Sequence, residues 1–286
     1  MAIIISGTKL AQEKKEKLKE KIDIEVKRIG RKPNLTVILV GDDPGSISYV
    51  KGKEKGCTEV GISINTFHYD NNITEEFLLN KINELNNDVT VDGILVQLPL
   101  PKHIRADLVI DNIKPSKDVD GFHPLNVAGL YLKKDCTMPC TPRGIMSLLD
   151  SENIPLQGQK AVVVGRSNIV GLPMAKMLLD RNCTVSICHS KTKDLKAETL
   201  TADILIAAVG KARLITSDMV KEGAVVIDVG ANRDENNKLC GDVDFINVEQ
   251  KASYITKVPG GVGPMTICTL LESTFEAYLK HNKKED

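Results

Sequence analysis

The chain contains no tryptophan, and aromatic residues make up only 3% of its 286 positions. Proteins that bind single-stranded nucleic acid stack the bases on aromatic side chains, and such platforms are scarce here. A surplus of positive charge is also absent, because 38 Lys and Arg are balanced by 38 Asp and Glu. Binding to phosphate backbones needs an excess of Lys and Arg. We therefore expect no nucleic-acid partner.

Long apolar runs are missing as well. None reaches the roughly 18 residues that a membrane-spanning helix needs, so we expect no membrane partner. The apolar start, Met1–Ser6, is far too short for the hydrophobic part of a signal peptide. Seven cysteines, an odd number spread along the chain, favour free thiols in a reducing compartment over a disulfide framework. These features predict a cytoplasmic location.

The cysteines give little indication of a metal site. Cys136 and Cys140 are close in sequence, but no second Cys or His pair with zinc-type spacing accompanies them. We therefore predict that no metal is bound. Hydrophobic residues, at 42%, are abundant enough to fill cores. The length suits two domains of roughly 100–200 residues each, and the composition is typical of a globular enzyme.

Strand and helix patterns alternate along the first part of the chain. Short apolar segments predict strands, and apolar residues repeated every three or four positions predict helices. The predicted strands are 3–6, 35–40, 62–67 and 93–98, and the predicted helices are 10–29, 46–60 and 74–85. This alternation implies βαβ units and a mainly parallel sheet.

A second alternating series follows residue 140. It comprises predicted strands 161–164, 184–188, 203–208 and 224–229, a helix at 170–179 and a final amphipathic helix at 265–280. The strands are nearly all apolar, which is typical of parallel strands covered on both faces. Residues 115–142, rich in Pro, Gly and polar residues, are interpreted as the domain junction and the wall of a cleft.

One turn of the second series suits a nucleotide. The strand 161–164 continues into Gly165-Arg166-Ser167-Asn168-Ile169-Val170-Gly171 and then a helix. This arrangement places backbone N–H groups where a pyrophosphate binds. The turn departs from G-x-G-x-x-G, because Ser167 replaces the middle glycine and the last glycine comes one place late. A plain strand-to-helix turn is the alternative.

The end of the next strand indicates which dinucleotide would bind. Its sequence, Cys188-His189-Ser190-Lys191, contains no acidic residue. An NAD-binding domain carries Asp or Glu near this point to hold the ribose 2′-hydroxyl. Ser190, Lys191 and Arg166 instead offer donors and positive charge, which favours the 2′-phosphate of NADP. The alternative is a solvated surface lysine beside a polar strand end.

Three segments of the first series carry candidates for chemistry. Tyr49 and Lys53 are four residues apart on a predicted helix and share one face. A lysine whose pKa is moved at such a position can exchange protons with a substrate. Gln97 ends an apolar strand, where open α/β sheets present ligand-binding groups, and Asp118 and Asp120 lie in a turn. The alternatives are a lysine-rich helix surface and ordinary turn chemistry.

These motifs follow one another in a fixed order. The set comprises Tyr49-x-x-x-Lys53, Gly93–Pro101, Asp118-Val119-Asp120-Gly121, Cys140-Thr141-Pro142, the Gly165–Pro173 turn and Val258–Thr266. It closely resembles the bifunctional methylenetetrahydrofolate dehydrogenase/methenyltetrahydrofolate cyclohydrolase family over essentially the whole chain.

The resemblance implies a two-domain α/β fold. We expect an N-terminal α/β folate domain and a Rossmann-like parallel-sheet NADP domain, with the active site in a cleft between them. The expected boundaries are residues 1–140 for the folate domain, with helix 265–286 packing back on it, and residues 141–264 for the NADP domain. A homodimer is expected from the family.

The resemblance also implies the reaction and its main residues. In this family 5,10-methylenetetrahydrofolate is oxidised with NADP to the methenyl cation, which water opens to 10-formyltetrahydrofolate. Lys53 would be the key group of the hydrolytic step, and Gln97 would position it. Tyr49 would pack on the aminobenzoyl part of the folate, and Asp120 would accept hydrogen bonds from the pterin. These four residues are the predicted catalytic and substrate-binding set.

The remaining site predictions concern the second series. The predicted cofactor contacts are Thr141, Gly165, Arg166, Ser167, Gly171, Pro173, Ser190 and Ala231. The loop of Pro259, Gly260 and Gly261 is predicted to lie beside folate and nicotinamide, since glycine lets backbone approach a ligand closely. A helix-start turn is the alternative for this loop.

Two other functions stay open at this point. One is a relative that performs only the dehydrogenase reaction, and the other is a non-catalytic NADP-binding protein. Lys53, Gln97 and Asp120 argue against the first, and the second gives no reason for the set of Tyr49, Lys53, Gln97 and Asp120.

Overall fold

The computed structural model describes residues 1–283, and the chain divides into two compact units. The three-stranded unit comprises Glu13–Cys140 together with the chain from Ile267 onward. The six-stranded unit comprises Met1–Gln12 and Thr141–Thr266. Each unit is named here for its main parallel sheet.

The three-stranded unit is built on a parallel sheet of order β3-β2-β4. Its strands are β2 (Asn34–Val40), β3 (Ser63–Tyr69) and β4 (Gly93–Val96). Its helices are most of α1 (Gly7–Ile29), α2 (Pro44–Val60), α3 (Glu75–Asn87), α4 (Ala106–Asn112), α5 (Pro124–Leu132) and most of α10 (Val262–His281).

The central strand β2 contributes to a hydrophobic core on each face of this sheet. Leu35, Val37 and Leu39 pack in one core with apolar residues of α1, α2 and α10. Ile38 and Val40 pack in the other core with residues of α3 and α4. Neighbouring side chains of a strand point to opposite faces, so an all-apolar strand requires cover on both sides. The result is a three-layer α/β arrangement.

Helix α2 has clear start and stop signals. The Asp43 carboxylate accepts a hydrogen bond from the Ser46 backbone N–H at 2.7 Å, and Pro44 occupies the first turn. The helix ends at Gly61, whose φ of 86° closes the last turn in the left-handed region. These local signals fix the helix that carries Tyr49 and Lys53.

Two glycines inside α2 allow close contact with α10. A Cβ on Gly52 would lie 3.1 Å from Ile267 Cδ1, and one on Gly56 would lie 3.2 Å from Ile267 and from Leu271. Larger residues would push the two helices apart. Glycine inside a helix lowers stability by roughly 1 kcal/mol relative to alanine. Close helix packing is therefore the structural reason for both residues.

The six-stranded unit has a parallel sheet of order β1-β11-β8-β7-β5-β6. Its strands are β1 (Ile3–Ile5), β5 (Lys160–Val164), β6 (Thr184–Cys188), β7 (Ile204–Ala207), β8 (Val225–Asp228) and β11 (Tyr254–Thr256). The helices are α6 (Cys140–Ser151), α7 (Gly171–Asp180), α8 (Leu195–Thr199) and α9 (Phe245–Val248). An antiparallel hairpin joins β9 (Asn232–Arg233) to β10 (Leu239–Cys240).

The order of this sheet changes direction at β5. From β5 the chain adds β6 on one side and then β7 on the other. In open parallel sheets, ligands bind outside the carboxyl ends of the strands at such a point. The turns that follow β5, β6 and β7 are therefore the segments of this unit best placed for a dinucleotide.

The predicted two-domain α/β class with mainly parallel sheets is confirmed. The N-terminal strand is placed differently from the expectation that residues 1–140 form one domain. It pairs with β11, Ile3 opposite Tyr254, as the edge of the six-stranded sheet. The region 115–142, interpreted as a junction, contains α5 and the start of α6. Within residues 1–283, no helix is long and apolar enough to cross a membrane.

Candidate functional site

Lys53 lies on the buried side of α2. Its side chain is only 5% exposed, although lysine is normally a surface residue. Val50, Cys57 and Val60 flank it on the same helical stripe and are all buried. The simple alternative of a solvated lysine-rich helix surface is therefore wrong for this residue. An amine withdrawn from water in this way is suited to proton exchange with a bound substrate.

Gln97 fixes the position of the Lys53 amine. Lys53 Nζ donates a hydrogen bond to Gln97 Oε1 at 2.8 Å. Gln97 Nε2 donates in turn to the backbone oxygen of Leu98 at 2.7 Å, which sets the orientation of the amide. Gln97 directly follows β4, at the carboxyl end of the sheet. Lys53 thus has a neutral acceptor rather than a carboxylate as its hydrogen-bond partner.

The surroundings of Lys53 weaken its hold on a proton. Burial lowers the pKa of the Lys53 amine, and the nearby Asp120 charge opposes this shift in part. The Tyr49 ring lies one helical turn away, with Lys53 Nζ 5.5 Å from the ring centroid. The ring presents a flat surface beside the amine, and its partial exposure leaves that surface accessible. The arrangement combines a proton carrier with an aromatic surface.

Asp120 is the acidic member of the same cluster. Its pKa is raised to about 6, chiefly by burial and also by the Asp118 charge, while the Lys53 charge and a hydrogen bond from Cys140 act in the opposite direction. The residue as a whole is partly exposed. A carboxylate can accept two parallel N–H bonds from a planar heterocycle.

Asp118 shapes the turn that presents Asp120. Its carboxylate accepts hydrogen bonds from the backbone N–H groups of Gly121 at 3.0 Å and His123 at 2.8 Å, and from Asn126 Nδ2 at 2.8 Å. The turn runs beside β4, because Ile94 N donates to Lys117 O at 2.8 Å. Ordinary turn chemistry therefore accounts for Asp118. Asp120 is not the acceptor of these turn hydrogen bonds. The sequence places both acids in one turn, and the family resemblance singles out Asp120 as the pterin contact.

The glycine turn after β5 is closely packed. A Cβ on Gly165 would overlap the backbone oxygen of Ala208, and one on Gly171 would overlap Gly165 O. The Ser167 hydroxyl accepts hydrogen bonds from the N–H groups of Val170 at 3.2 Å and Gly171 at 3.3 Å. Ser167 thus orders the entrance to α7 in place of a glycine. The turn brings Arg166 and Ser167 to the exposed carboxyl end of the sheet.

The other predicted cofactor contacts are divided between strand ends and helices. Ser190 and Lys191 lie in the turn after β6 and are exposed, and Ala231 is exposed after β8. Pro173 is buried in the first turn of α7. Thr141 lies on α6, where its hydroxyl is 3.0 Å from that of Thr266. The strand-end residues share one edge of the sheet, while Thr141 has a different setting.

The predicted loop at Pro259 is held by the start of α1. Gly260 O accepts hydrogen bonds from the Thr8 N–H at 3.0 Å and the Thr8 hydroxyl at 3.3 Å. Gly261 O lies where a Cβ on Gly7 would be, so the two backbones are in close contact. Close backbone packing accounts for these glycines in addition to the start of α10.

Among residues 1–283, no group of three or more His, Cys, Asp or Glu could hold a metal ion. The thiol closest in sequence to Lys53 is Cys57, and burial raises its pKa to about 12. Such a thiol stays protonated and is a poor nucleophile. The chemistry of the cluster therefore falls to the amine, the amide and the carboxylate.

Two family models match the chain. The model described as the tetrahydrofolate dehydrogenase/cyclohydrolase catalytic domain matches residues 5–120, and the model of the NAD(P)-binding domain of the same family matches residues 139–282. The chain belongs to this family. The matched ranges include the Lys53 cluster in one model and the glycine turn in the other.

Individual relatives agree with this assignment. The bifunctional protein FolD of Bacillus anthracis is 54% identical over 277 residues, covering 97% of this chain and 96% of the relative. The crystal structure of the bifunctional enzyme FolD from Campylobacter jejuni has a TM-score of 0.95 at 53% identity, covering 98% and 99% of the two chains. The Trypanosoma brucei FolD, solved with NADP cofactor and inhibitor, has a TM-score of 0.96 at 34% identity, covering 99% of both.

Two buried acids of the six-stranded unit were not identified from the sequence. Asp228 and Asp242 are 3% and 0% exposed, and both accept several backbone hydrogen bonds. The available signal was the pairing of an acid with glycine just beyond an apolar strand, in Asp228-Val229-Gly230 and Gly241-Asp242.

Proposed function

We propose that this member of the family oxidises 5,10-methylenetetrahydrofolate with NADP and then hydrolyses the methenyl product to 10-formyltetrahydrofolate. The observation that carries the proposal is the buried Lys53 amine, bonded at 2.8 Å to an amide whose other end is fixed to the backbone. Neither a dehydrogenase-only relative nor a non-catalytic NADP-binding protein needs such a group. The identity to bifunctional FolD proteins supports both activities.

Lys53 is proposed to handle the protons of the hydrolytic step. Water attacks the bridging carbon of the methenyl cation, and a proton must leave that water as the C–O bond forms. Because burial lowers the Lys53 pKa, its amine can accept this proton and later deliver it to the ring nitrogen that departs. Gln97 keeps the amine in place without adding a negative charge that would hold it permanently protonated.

Tyr49 and Asp120 are proposed to hold the folate. The Tyr49 ring offers an apolar surface for the aminobenzoyl group. The Asp120 carboxylate accepts hydrogen bonds from the pterin amino group and the neighbouring ring N–H. Asp118 supports this role indirectly, because its three hydrogen bonds fix the turn that carries Asp120. The Gly260 and Gly261 loop is proposed as a further folate contact, together with Pro259.

The strand ends of the six-stranded unit suit NADP. The glycine turn after β5 presents exposed Arg166 and Ser167 ahead of α7, and residues 189–191 after β6 include exposed Ser190 and Lys191 and no acid. When bound, NADP takes the hydride from the bridging carbon of the substrate. The chain supplies the binding site for the NADP phosphates and sets the orientation of the cofactor. Arg166, Ser190 and Lys191 are proposed to hold the 2′-phosphate, and Ala231 and Thr141 are proposed as further contacts.

A coupled spectrophotometric assay tests the proposal. Purified protein is mixed with 5,10-methylenetetrahydrofolate and NADP, and NADPH formation and the methenyl absorbance are followed together. We expect NADPH to form while the methenyl signal stays low, because the product is hydrolysed. A dehydrogenase-only enzyme would let the methenyl compound accumulate, and that compound would then disappear only at the uncatalysed rate. Absence of NADPH formation and of tetrahydrofolate binding would contradict the enzyme function altogether.

A homodimer in the cytoplasm is part of the proposal. The strand β6 ends the six-stranded sheet, and apolar Ile187 and Leu179 beside it are 39% and 56% exposed. An exposed edge with apolar side chains can pair with a second copy. Light scattering tests this. We expect the mass of a dimer for the wild type and the mass of a monomer for Ile187→Asp. All seven cysteines are present as thiols rather than disulfides, which supports a reducing compartment.

A further inference from the structure

Two buried carboxylates of the six-stranded unit have no part in the proposed chemistry. Asp228 is the last residue of β8, and Asp242 follows the β9–β10 hairpin. Their exposed fractions are 3% and 0%. Acidic residues are rarely buried unless they are paired or hydrogen-bonded. Their partners therefore indicate what they do.

Asp228 holds the two ends of the segment between β8 and residue 243. Its Oδ1 accepts hydrogen bonds from the N–H groups of Gly230 and Asp242, both at 2.9 Å, and its Oδ2 accepts one from Val243 at 3.0 Å. Its own N–H donates to the Thr256 hydroxyl on β11 at 2.7 Å. The segment that contains the predicted cofactor contact Ala231 is thus closed at its base.

Asp242 connects the segments that follow β7 and β8. Its Oδ2 accepts the N–H of Val209 at 2.6 Å and that of Gly210 at 3.1 Å. Its Oδ1 accepts the N–H of Lys211 and the Asn232 side-chain amide, each at 2.8 Å. Four donors converge on one carboxylate, and three of them come from consecutive residues after β7.

The glycines around the two acids leave no spare space. A Cβ on Gly230 would overlap Asp242, and a Cβ on Gly241 would overlap the Asp228 carboxylate. The chain therefore passes directly over both carboxylates. Such packing fixes the segments after β7 and β8 to each other with little freedom.

The segment that Asp242 holds borders the glycine turn after β5. Ala208 precedes Val209, and its backbone oxygen occupies the place of a Cβ on Gly165. Ala208 N also donates to Val164 O at 2.8 Å, at the end of β5. β5 and β7 are the strands between which the sheet order reverses, where a dinucleotide binds in this class of sheet.

We propose that Asp242, whose N–H is bound by Asp228, is a positioning residue for dinucleotide binding. It holds the segments after β7 and β8 in the conformation to which the cofactor binds. The inference rests on the proposed function, since it assigns these segments to the NADP seat. Hydrolysis of the methenyl compound uses water and no dinucleotide, so it should not depend on Asp242.

The substitution Asp242→Asn separates positioning from folding. Asparagine has the same size, but it offers one acceptor oxygen and turns an NH₂ group toward N–H donors. We expect the KM for NADP to rise about tenfold, the order expected for losing one or two hydrogen bonds to a charged group. The kcat of the dehydrogenase at saturating NADP and the kcat/KM of NADP-free methenyl hydrolysis should stay within about threefold.

Asp203→Asn is the matched control. Asp203 also accepts a backbone hydrogen bond, from Lys160 N at 2.8 Å, but it precedes β7 at the opposite end of the strands. Its substitution should leave the KM for NADP unchanged. An unchanged KM for NADP in Asp242→Asn would overturn the inference. A loss of both the dehydrogenase and the hydrolytic activity that parallels a loss of stability in Asp242→Asn would overturn it as well.

A milder variant covers the case in which Asp242→Asn does not fold. Asn232→Ala removes only one of the four donors, and we expect a twofold to threefold rise in the KM for NADP, because the three backbone donors still hold the Asp242 carboxylate. No rise would overturn the inference. A wild-type enzyme without NADP-dependent activity would instead contradict the proposed function, so the two failures are distinguishable.

Discussion

The two units present functional groups in different ways. In the three-stranded unit, the candidate site consists of side chains: a buried amine, an amide and a carboxylate, all within reach of one another. In the six-stranded unit, exposed side chains lie on the turns at the strand ends, and the buried Asp242 carboxylate holds the backbone after β7 in place. Chemistry on a substrate needs groups that change protonation state, whereas a dinucleotide seat needs fixed N–H donors.

This contrast predicts different sensitivities to substitution. Single side-chain changes in the three-stranded unit should reduce the rate of chemistry strongly. Single changes at the strand ends of the six-stranded unit should alter cofactor affinity by smaller factors, because several separate groups are proposed to share the cofactor contacts. The predictions below test this difference.

Replacing the Lys53 amine should have the largest effect. Lys53→Met retains the bulk of the buried side chain and removes its proton chemistry, so we expect methenyl hydrolysis to fall at least about 100-fold, in line with general acid–base catalysis. The control is Lys55→Met on the same helix, where the side chain is 80% exposed, and hydrolysis should be unchanged. Equal losses of hydrolysis in Lys53→Met and Lys55→Met would show that the loss does not come from removing the buried amine.

Asp120 should give the site its pH dependence. Its pKa of about 6 means that the carboxylate gains a proton as the pH falls through this value. The neutral acid accepts fewer hydrogen bonds from the pterin, so kcat/KM for the folate substrate should fall about tenfold per pH unit below pH 6. Asp120→Asn should lower kcat/KM at pH 8 and abolish this slope. A wild-type profile that is flat between pH 5 and pH 7 would contradict the assignment.

The same raised pKa has a consequence for stability. The folded state holds this proton more tightly than the unfolded chain does, so the contribution of Asp120 to stability decreases as the pH rises through about 6. Urea unfolding of wild type and Asp120→Asn at pH 5 and pH 8 measures this. The variant should be more stable relative to wild type at pH 8 than at pH 5.

Lys191 should affect the choice of dinucleotide by a moderate factor. Lys191→Ala removes a positive charge from the turn after β6, and we expect kcat/KM with NADP to fall about fivefold to tenfold, as for one charged hydrogen bond at an exposed position. Activity with NAD should not change. Lys193→Ala, an exposed lysine two residues along, is the control. A Lys191→Ala enzyme with unaltered NADP preference would leave Arg166 and Ser190 as the determinants.

The smallest effect on activity should come from the packing behind Lys53. Gly56→Val inserts atoms against Ile267 and Leu271, so we expect the free energy of unfolding to fall by about 1–3 kcal/mol. The kcat/KM for methenyl hydrolysis should stay within about threefold at a temperature where the variant is folded. Urea unfolding gives the stability change, and a large loss of hydrolysis without loss of stability would mean that α2 has shifted with Lys53.

Much of the fold was predictable because the strands of both units are short apolar runs with clear boundaries. The Leu35–Val40 and Ala161–Val164 segments illustrate this, since each forms the expected strand with one residue added at its start. β1 was placed with the wrong unit. Three residues, Ile3–Ile5, carry no register information, and their partner β11 lies at the other end of the chain. The pairing depends on tertiary contacts that local patterns do not encode.

The residues of the candidate site were predictable from the sequence, but their burial and hydrogen bonds were less so. The helix pattern put Tyr49 and Lys53 on one face, but the residue type alone did not indicate that Lys53 is only 5% exposed. A sharper signal was present, since Lys53 falls on the stripe of Val50, Cys57 and Val60. The pterin role of Asp120 was implied by the family resemblance, whereas the turn-forming role of Asp118 followed from its hydrogen bonds to backbone groups, which depend on the path of the turn.

The pairing of β1 with β11 also sets the order in which the protein can be completed during synthesis. Ile3 and Tyr254 are about 250 residues apart, and ribosomes add roughly 5–20 residues per second. The first strand therefore waits tens of seconds for its neighbour. The three-stranded unit is likewise incomplete until α10 has been made, since Leu270, Leu271 and Phe275 belong to its core. The six-stranded unit therefore cannot reach its final form before β11 has left the ribosome, and the three-stranded unit cannot do so before α10 has left it.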